Sequence, residues 1–139
     1  IIGRLVGSEM CIRDRIYPVE PVTCNDTEIS LKNRTRTRLK THQNTICDAL
    51  EVEIPGEITF PINLQNCTAG ISVTDEEVCT AMKYLYNEFK VKAEPSGCVS
   101  LAAVLSNKIN VKGKHVLVTI SGGNVDEQNF SEYLKLAKD

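Results

Sequence analysis

The sequence predicts an α/β fold whose strands are at least partly parallel. Strand-like and helix-like segments alternate along the chain, which is the pattern of a layered α/β domain. One segment, Val116 to Ile120, is a continuous apolar run, as is typical of a strand buried on both faces of a parallel sheet. The run breaks into the sequence SGGN at Ser121 to Asn124. Open parallel sheets bind ligands just beyond the carboxyl ends of their strands, so this break is a candidate site.

Length and composition indicate one globular domain or a part of one. The chain has 139 residues, of which 42% are hydrophobic, and this is enough apolar material for a core. A net charge of -2 gives no general attraction to nucleic acid or to an anionic membrane. No apolar run approaches the roughly 18 residues that a membrane span needs. We therefore expect neither nucleic acid nor a membrane as a partner.

The cysteines indicate a reducing compartment. The six are scattered, without a C-x-x-C pair or nearby histidines, which fits neither a zinc site nor a dense disulfide framework. We expect reduced thiols, several of them buried, in a cytoplasmic protein.

The first elements are short. Residues 1–15 show no periodicity, and the string VGSEMCIRDR resembles translated sequencing-adapter sequence, so we predict a non-native or disordered leader. Ile16 to Pro21 predicts a strand, and Asn25 to Glu28 carries helix-start signals for a helix that ends near Lys32. Lys32 to Lys40 contains five basic residues without aromatic partners, which favours a solvated loop over a nucleic-acid strip.

The middle of the chain predicts a loop that enters a short helix at Thr45 to Leu50. Ile58 to Gln65 predicts another short helix, whose start Pro61 limits, and Gly70 to Val73 predicts a strand.

Three longer helices follow. Thr74 to Glu77 forms a capping box, and the helix after it carries one apolar face. That face consists of Val78, Ala81, Met82, Leu85 and Phe89. A mostly apolar segment, Cys98 to Ser106, predicts a buried helix. Asn124 or Asp126 caps a last helix, which turns Phe130, Leu134 and Ala137 inward.

Ser121 has two interpretations from the residues alone. Its hydroxyl lies where a strand would present it to a ligand, and the adjacent glycines allow close approach of the backbone. The alternative is an ordinary glycine-rich turn between a strand and a helix.

Several motifs in this order resemble the C-terminal half of one enzyme family. The motifs are VEP, TICDAL, PGEITF, SVTDEEV, EPSG and VLVTISGGNVD. They resemble pyridoxal-phosphate-dependent threonine/serine dehydratases and serine racemases, the fold-type II enzymes related to the tryptophan synthase β chain. The resemblance runs from Ile16 to Asp139, so residues 16–139 are expected to be part of a catalytic domain. It implies a three-layer sandwich with a mostly parallel sheet, the cofactor pyridoxal 5'-phosphate and a homodimeric parent protein.

The resemblance also implies an activity. The full-length parent would eliminate water from L-threonine or L-serine to give a 2-oxo acid and ammonia. A serine racemase, a 3-hydroxyaspartate dehydratase and a non-catalytic binding module of the same fold are the alternatives. A free-standing small α/β domain without a cofactor is a further one.

The family pattern assigns cofactor-binding roles to residues of this chain. Ser121 would hydrogen-bond the pyridine nitrogen, and Gly122, Gly123 and Asn124 complete that segment. A hydroxyl does not hold the nitrogen protonated as a carboxylate would, which favours loss of the β-hydroxyl over transamination. Glu94 would line the pocket, or else serve as a helix N-terminal acid that complements the dipole.

Two further assignments come from the same resemblance. Ala49 stands in the loop near the cofactor, where many members have glycine. Glu20, the carbonyl of Cys24, and Asp26 fall where members bind a structural Mg²⁺ or Ca²⁺. The alternative there is a strand-end acid followed by a helix N-cap at Asp26.

The family's Schiff-base lysine, its substrate loop and its phosphate loop have no counterpart in this sequence. We therefore expect no catalytic residue within the chain and no activity from the chain alone. We also expect exposed apolar surface around residues 98–106 and 116–120, and poor solubility of the isolated chain.

Overall fold

A computed structural model describes residues 15–41 and 44–138. The predicted leader lies outside these residues, apart from Arg15. The elements in chain order are β1 (Val19–Pro21), α1 (Asp26–Asn33), a 3-10 turn (Asp48–Leu50), α2 (Thr59–Asn66), β2 (Ile71–Val73), α3 (Asp75–Phe89), α4 (Pro95–Leu105) and α5 (Glu127–Leu136).

The two strands are parallel, and this confirms the predicted α/β class. Val19 pairs with Ile71 and Pro21 with Val73, and a separate parallel bridge joins Ile16 to Cys67. Parallel neighbours need a long crossover, which here contains α1, the 3-10 turn and α2. Among the described residues, the sheet contains only β1 and β2.

Helices α3 and α4 form most of the core beside this sheet. The predicted capping box is present: the Thr74 hydroxyl accepts from the Glu77 amide, and the Glu77 carboxylate accepts from the Thr74 amide. The described core side chains are Cys47, Val73, Val78, Ala81, Met82, Leu85, Ala93, Cys98, Val99, Ala102, Ala103 and Phe130. Within the described residues, no helix is long and apolar enough to cross a bilayer.

The prediction that Phe89 continues the inward face of α3 is wrong. Its side chain is 61% exposed. Phe89 is the last residue before the left-handed C-cap at Lys90, and its ring lies edge-on to the exposed Tyr84. The buried face of α3 therefore ends at Leu85.

The helix predicted from Cys98 begins three residues earlier, at Pro95. Proline is favoured in a first helical turn because its missing N–H would have no partner there. Cys98, Val99, Ala102 and Ala103 are buried, as predicted, whereas Leu105 at the end of the helix is 37% exposed.

The prediction of a buried strand at residues 116–120 is wrong for this chain. The segment forms no strand, and Val116 and Leu117 are 50% and 75% exposed. A strand requires a neighbour that accepts and donates the ladder hydrogen bonds, and no described residue provides one. Ile120 nevertheless packs against the core, which fixes the end of the segment.

Asp126 caps the last helix, so Asn124 does not. The Asp126 Oδ1 accepts from the Asn129 amide at 2.8 Å. Phe130 is buried and Leu134 packs against the core, as predicted, whereas Ala137 follows the end of the helix.

Candidate functional site

The loop Ser121–Asn124 lies directly on the N-terminus of α4. The Glu94 amide donates to the Gly122 carbonyl oxygen at 3.2 Å, and the Asn124 amide donates to the Glu94 Oε2 at 3.2 Å. A Cβ atom on Gly97 would lie 1.6 Å from the Ser121 carbonyl oxygen. Only glycine at position 97 therefore permits this approach.

Gly122 and Glu94 fit together tightly. Gly122 has a φ of +70°, and a Cβ built on it would lie 2.1 Å from the Glu94 Cδ. The backbone conformation favours glycine, and a Cβ at this position would displace the Glu94 carboxylate from its place beside the loop. Gly123 differs, because a Cβ there would have only the Lys92 carbonyl oxygen within 4 Å, at 3.4 Å. The packing of the described chain does not account for the second glycine.

Ala49 reaches the same helix end from another direction. Its amide donates to the Ser96 Oγ at 3.2 Å and to the Asp48 Oδ1 at 2.8 Å. Ala49 has no positive φ, so alanine fits its backbone conformation without strain. The first turn of α4 therefore brings together the three predicted segments, at Ala49, Glu94 and residues 121–124.

Ser121 itself is exposed, as are Gly122, Gly123 and Asn124. Its carbonyl oxygen faces Gly97.

Sequence reasoning missed Ser96 and Gly97 as parts of the site, and it missed the contact between Asp75 and Thr45. Ser96 and Gly97 belong to the EPSG motif, whose small residues at a helix start were the available signal. Asp75 accepts a hydrogen bond from Thr45, which lies 30 positions earlier in the chain. No short-range sequence pattern predicts this contact.

The acids proposed for a metal lie together between β1 and α1. The Glu20 carboxylate accepts from the amides of Thr27 and Glu28 at 3.1 and 3.0 Å. Burial raises the pKa of Glu20 to about 7, with a smaller contribution from the charge of Asp26. Burial likewise raises the pKa of Asp26 to about 6. The two carboxylates therefore share a desolvated region that disfavours their negative charge.

The alternative interpretation of Asp26 as a helix N-cap is wrong. Asn25 occupies the N-cap position and Asp26 is the first helical residue. Glu20 instead satisfies two free amides of the first turn. Cys24 is fully buried, and in the described residues no group of three or more His, Cys, Asp or Glu side chains could hold a metal. Any cation here would need the carbonyl of Cys24 as well.

Comparison with known proteins identifies the family of the chain. The model of the family described as pyridoxal-phosphate dependent enzyme matches residues 8–122. The chain belongs to this family. The resemblance inferred from the motifs is thereby confirmed, and so is the predicted fold-type II architecture.

Individual relatives agree with the family assignment. A serine racemase of Schizosaccharomyces pombe is 32% identical over 95% of this chain and 42% of its own length. An L-threo-3-hydroxyaspartate ammonia-lyase of Saccharomyces cerevisiae is 32% identical over 99% of this chain and 43% of its own length. The solved serine racemase from Dictyostelium discoideum is 38% identical, with a TM-score of 0.71 over 81% of this chain and 36% of its own.

The chain thus spans less than half the length of the curated relatives that it matches. Within the described residues, the candidate site consists of Ala49, Glu94 and residues 121–124, which meet at the first turn of α4.

Proposed function

We propose that the full-length parent protein is a pyridoxal-phosphate-dependent lyase. It eliminates water from L-threonine or L-serine and releases a 2-oxo acid and ammonia. The observation that carries this proposal is the seating of the SGGN loop on Glu94 and Gly97, in a chain that belongs to the pyridoxal-phosphate dependent enzyme family.

The residues of this loop are chemically suited to one edge of the cofactor. When bound, pyridoxal phosphate supplies the electron sink for the chemistry at the substrate α-carbon. Ser121 offers a neutral, exposed hydroxyl that can hydrogen-bond a pyridine nitrogen without holding a charge there. Gly123 offers a bare backbone that the chain's own packing does not require, which suits close approach of a flat ring. Glu94 holds the loop that carries both, through the Asn124 amide.

Two alternatives share this half of the site. The relatives include a serine racemase and a 3-hydroxyaspartate ammonia-lyase, so racemisation of serine and dehydration of 3-hydroxyaspartate are the competing reactions. Both need the same ring contact at Ser121. Racemisation differs from the proposed reaction because a proton returns to the α-carbon, whereas 3-hydroxyaspartate differs from L-threonine and L-serine because it carries a second carboxylate.

The decisive experiment uses purified full-length parent protein with pyridoxal phosphate. We expect 2-oxobutanoate from L-threonine or pyruvate from L-serine, together with cofactor absorption that persists after gel filtration. Formation of D-serine as the main product, or turnover of 3-hydroxyaspartate alone, would select an alternative. Retained cofactor without turnover of any of these substrates would indicate a binding module, and absence of cofactor would refute the proposal.

A variant tests the ring contact directly. Ser121→Ala should lower turnover and shift the cofactor spectrum, because the hydroxyl bonded to the pyridine nitrogen is lost. Ser131→Ala is the matched control, since Ser131 is an exposed serine of α5 whose hydroxyl donates to the Glu127 carbonyl oxygen. Equal behaviour of the two variants would remove Ser121 from the site.

We also propose that Glu20, Asp26 and the Cys24 carbonyl hold a hard divalent cation, Mg²⁺ or Ca²⁺. The raised pKa values of Glu20 and Asp26 support this, because no positive charge among the described residues offsets the desolvation of the two carboxylates. Glu20 is already bonded to two amides, so it would bind the cation with its remaining lone pairs.

The compartment and the assembly of the parent protein are proposals too. A cytoplasmic location is supported by the five described cysteines, none of which forms a disulfide and four of which are buried. A homodimeric parent is proposed on the family resemblance, and analytical ultracentrifugation of the full-length protein tests it.

A further inference from the structure

We propose that Asp75 and Thr45 are positioning residues for the cofactor site. They hold the segment Thr45–Ala49 against the first turn of α4, and so fix the backbone at Ala49 relative to Ser121. The inference rests on the proposed cofactor-binding function, and it adds residues outside the motifs that touch the cofactor.

The contact begins at a single carboxylate. Asp75 Oδ1 accepts from the Thr45 hydroxyl at 2.5 Å, and Oδ2 accepts from the Ile46 amide at 3.1 Å. The Thr45 hydroxyl in turn accepts from the Cys47 amide at 3.2 Å. One carboxylate thereby fixes three consecutive residues, two directly and the third through the hydroxyl.

The carboxylate is itself held in place. Asp75 is the first residue of α3, directly after Thr74, and the capping box with Glu77 fixes the backbone there. Asp75 and Thr45 are both partly buried, where hydrogen bonds are less weakened by water than at the surface. The pair therefore connects a rigid helix end to a segment without regular structure.

The far end of the same segment meets the cofactor site. Ala49 donates its amide to the Ser96 Oγ, and the neighbouring Gly97 contacts the Ser121 carbonyl oxygen. Cys47, between the two ends, is fully buried in the core. The segment is thus held at Thr45–Ile46, at Cys47 and at Ala49. The Thr45 amide also donates to the Glu51 Oε1 at 3.1 Å, so loss of the first anchor would loosen, rather than fully free, the backbone that leads into Ala49.

Isosteric variants separate this role from simple packing. In Asp75→Asn one acceptor oxygen becomes an NH2 group, so either the Ile46 amide or the Thr45 hydroxyl loses its acceptor. Thr45→Val keeps the branched shape but removes the hydroxyl. Thr45→Ser keeps the hydroxyl and serves as the rescue variant. Glu76→Gln is the matched control, because it removes the same charge one residue along α3, where Glu76 contacts Lys138.

The measurements are made on the full-length protein. In the cofactor-free form, hydrogen exchange of a peptide that covers residues 45–49 reports the freedom of the segment. Pyridoxal phosphate titration then reports the cofactor dissociation constant. We expect faster exchange and about tenfold weaker cofactor binding in Asp75→Asn and Thr45→Val, since one or two buried hydrogen bonds are lost. Thr45→Ser and Glu76→Gln should stay within about twofold of the wild type.

Each remaining outcome overturns the inference. If Asp75→Asn and Thr45→Val match Glu76→Gln in exchange and in cofactor affinity, the two residues do not position the segment. If Thr45→Ser fails to rescue, or if Glu76→Gln weakens binding equally, the effect is general destabilisation. If the wild type binds no pyridoxal phosphate, the proposed function is refuted and the inference with it. If only the variants lose affinity for pyridoxal phosphate, the proposed function is unaffected.

Discussion

At the scale of single residues, Glu94 is the centre of the site for a structural reason. The sequence left two interpretations for it, a pocket-lining acid and a helix N-terminal acid. Glu94 occupies the N-cap position of α4, and its carboxylate accepts from the Asn124 amide, 30 residues away. Glu94 therefore holds the SGGN loop against the start of α4. Neither interpretation from the sequence included this contact.

A substitution at Gly122 tests the close contact between the SGGN loop and Glu94. Gly122→Ala should destabilise the full-length protein by about 2 kcal/mol or more, because it combines left-handed backbone strain with overlap on the Glu94 carboxylate. Gly113→Ala is the matched control, since Gly113 has a similar φ of +69° but nothing within 4 Å of the added Cβ. It should cost only the strain, about 1 kcal/mol. Urea unfolding measures both, and equal losses would contradict this close contact.

The carboxylate pair between β1 and α1 predicts a cation effect. Millimolar Mg²⁺ should raise the melting temperature of the full-length protein, because a cation that binds only the folded state stabilises it by mass action. Asp26→Asn should abolish the increase, whereas Glu57→Gln, at an exposed acid, should preserve it. Differential scanning fluorimetry with and without Mg²⁺ measures the shift. The site is refuted if the wild type shows none, or if Asp26→Asn keeps the full increase.

At the scale of elements, local sequence signals predicted the helices. The strands and the long-range contacts depend on residues that are distant in the sequence. The capping box at Thr74 and the proline at the start of α4 act within one turn, so the sequence contains all that they need. The strand at residues 116–120 depends on neighbours that the sequence pattern alone does not supply. Of the site, the motifs supplied Glu94 and the SGGN loop, whereas the Asp75–Thr45 pair arises only from the tertiary fold.

The elements also bring three buried thiols near one another. Cys47, Cys79 and Cys98 are buried where the 3-10 turn, α3 and α4 meet. Burial raises the pKa of Cys47 and Cys98 to about 12 and that of Cys79 to about 11. The thiolate is the nucleophile, so these groups are chemically inert in the folded state.

These pKa shifts predict a loss of stability at alkaline pH. Each thiol has a higher pKa in the folded than in the unfolded state, so the folded state retains protons that the unfolded state releases. Below pH 9 both states are protonated, and the stability that the retained protons contribute is fully present. Between pH 9 and 11 the free energy of unfolding should fall as pH rises. Urea midpoints across this range measure the fall.

Alkylation checks the same assignment site by site. At pH 9, iodoacetamide should modify the partly exposed Cys67 well before the three core thiols, and mass spectrometry reads each site. Alkylation of Cys98 as fast as Cys67 in the native protein would contradict the buried assignment.

At the scale of the whole molecule, the described chain exposes apolar side chains that folded proteins usually bury. Val116 and Leu117 lie in a segment that pairs with no described strand, and they are 50% and 75% exposed. An apolar segment with free backbone groups is a template for pairing with another chain. The SGGN loop, Ser121 to Asn124, follows directly at the end of this segment. Its pairing in the full-length protein therefore matters for the site as well as for solubility.

Leu117→Lys should have opposite effects in two settings. In the isolated 139-residue chain it should reduce self-association, because a charge at an unpaired edge opposes strand addition. In the full-length protein it should lower stability by several kcal/mol, because a paired strand would bury the charge without a partner. Light scattering of the chain and urea unfolding of the full-length protein measure the two effects.

Ile58→Lys is the control, since Ile58 is 84% exposed and lies outside this segment. It should leave both measurements nearly unchanged. If the two variants reduce scattering equally, self-association follows general hydrophobicity rather than the open strand. If Leu117→Lys leaves the full-length protein at wild-type stability, position 117 remains at the surface there, and the run from Val116 to Ile120 is not a central strand of the sheet.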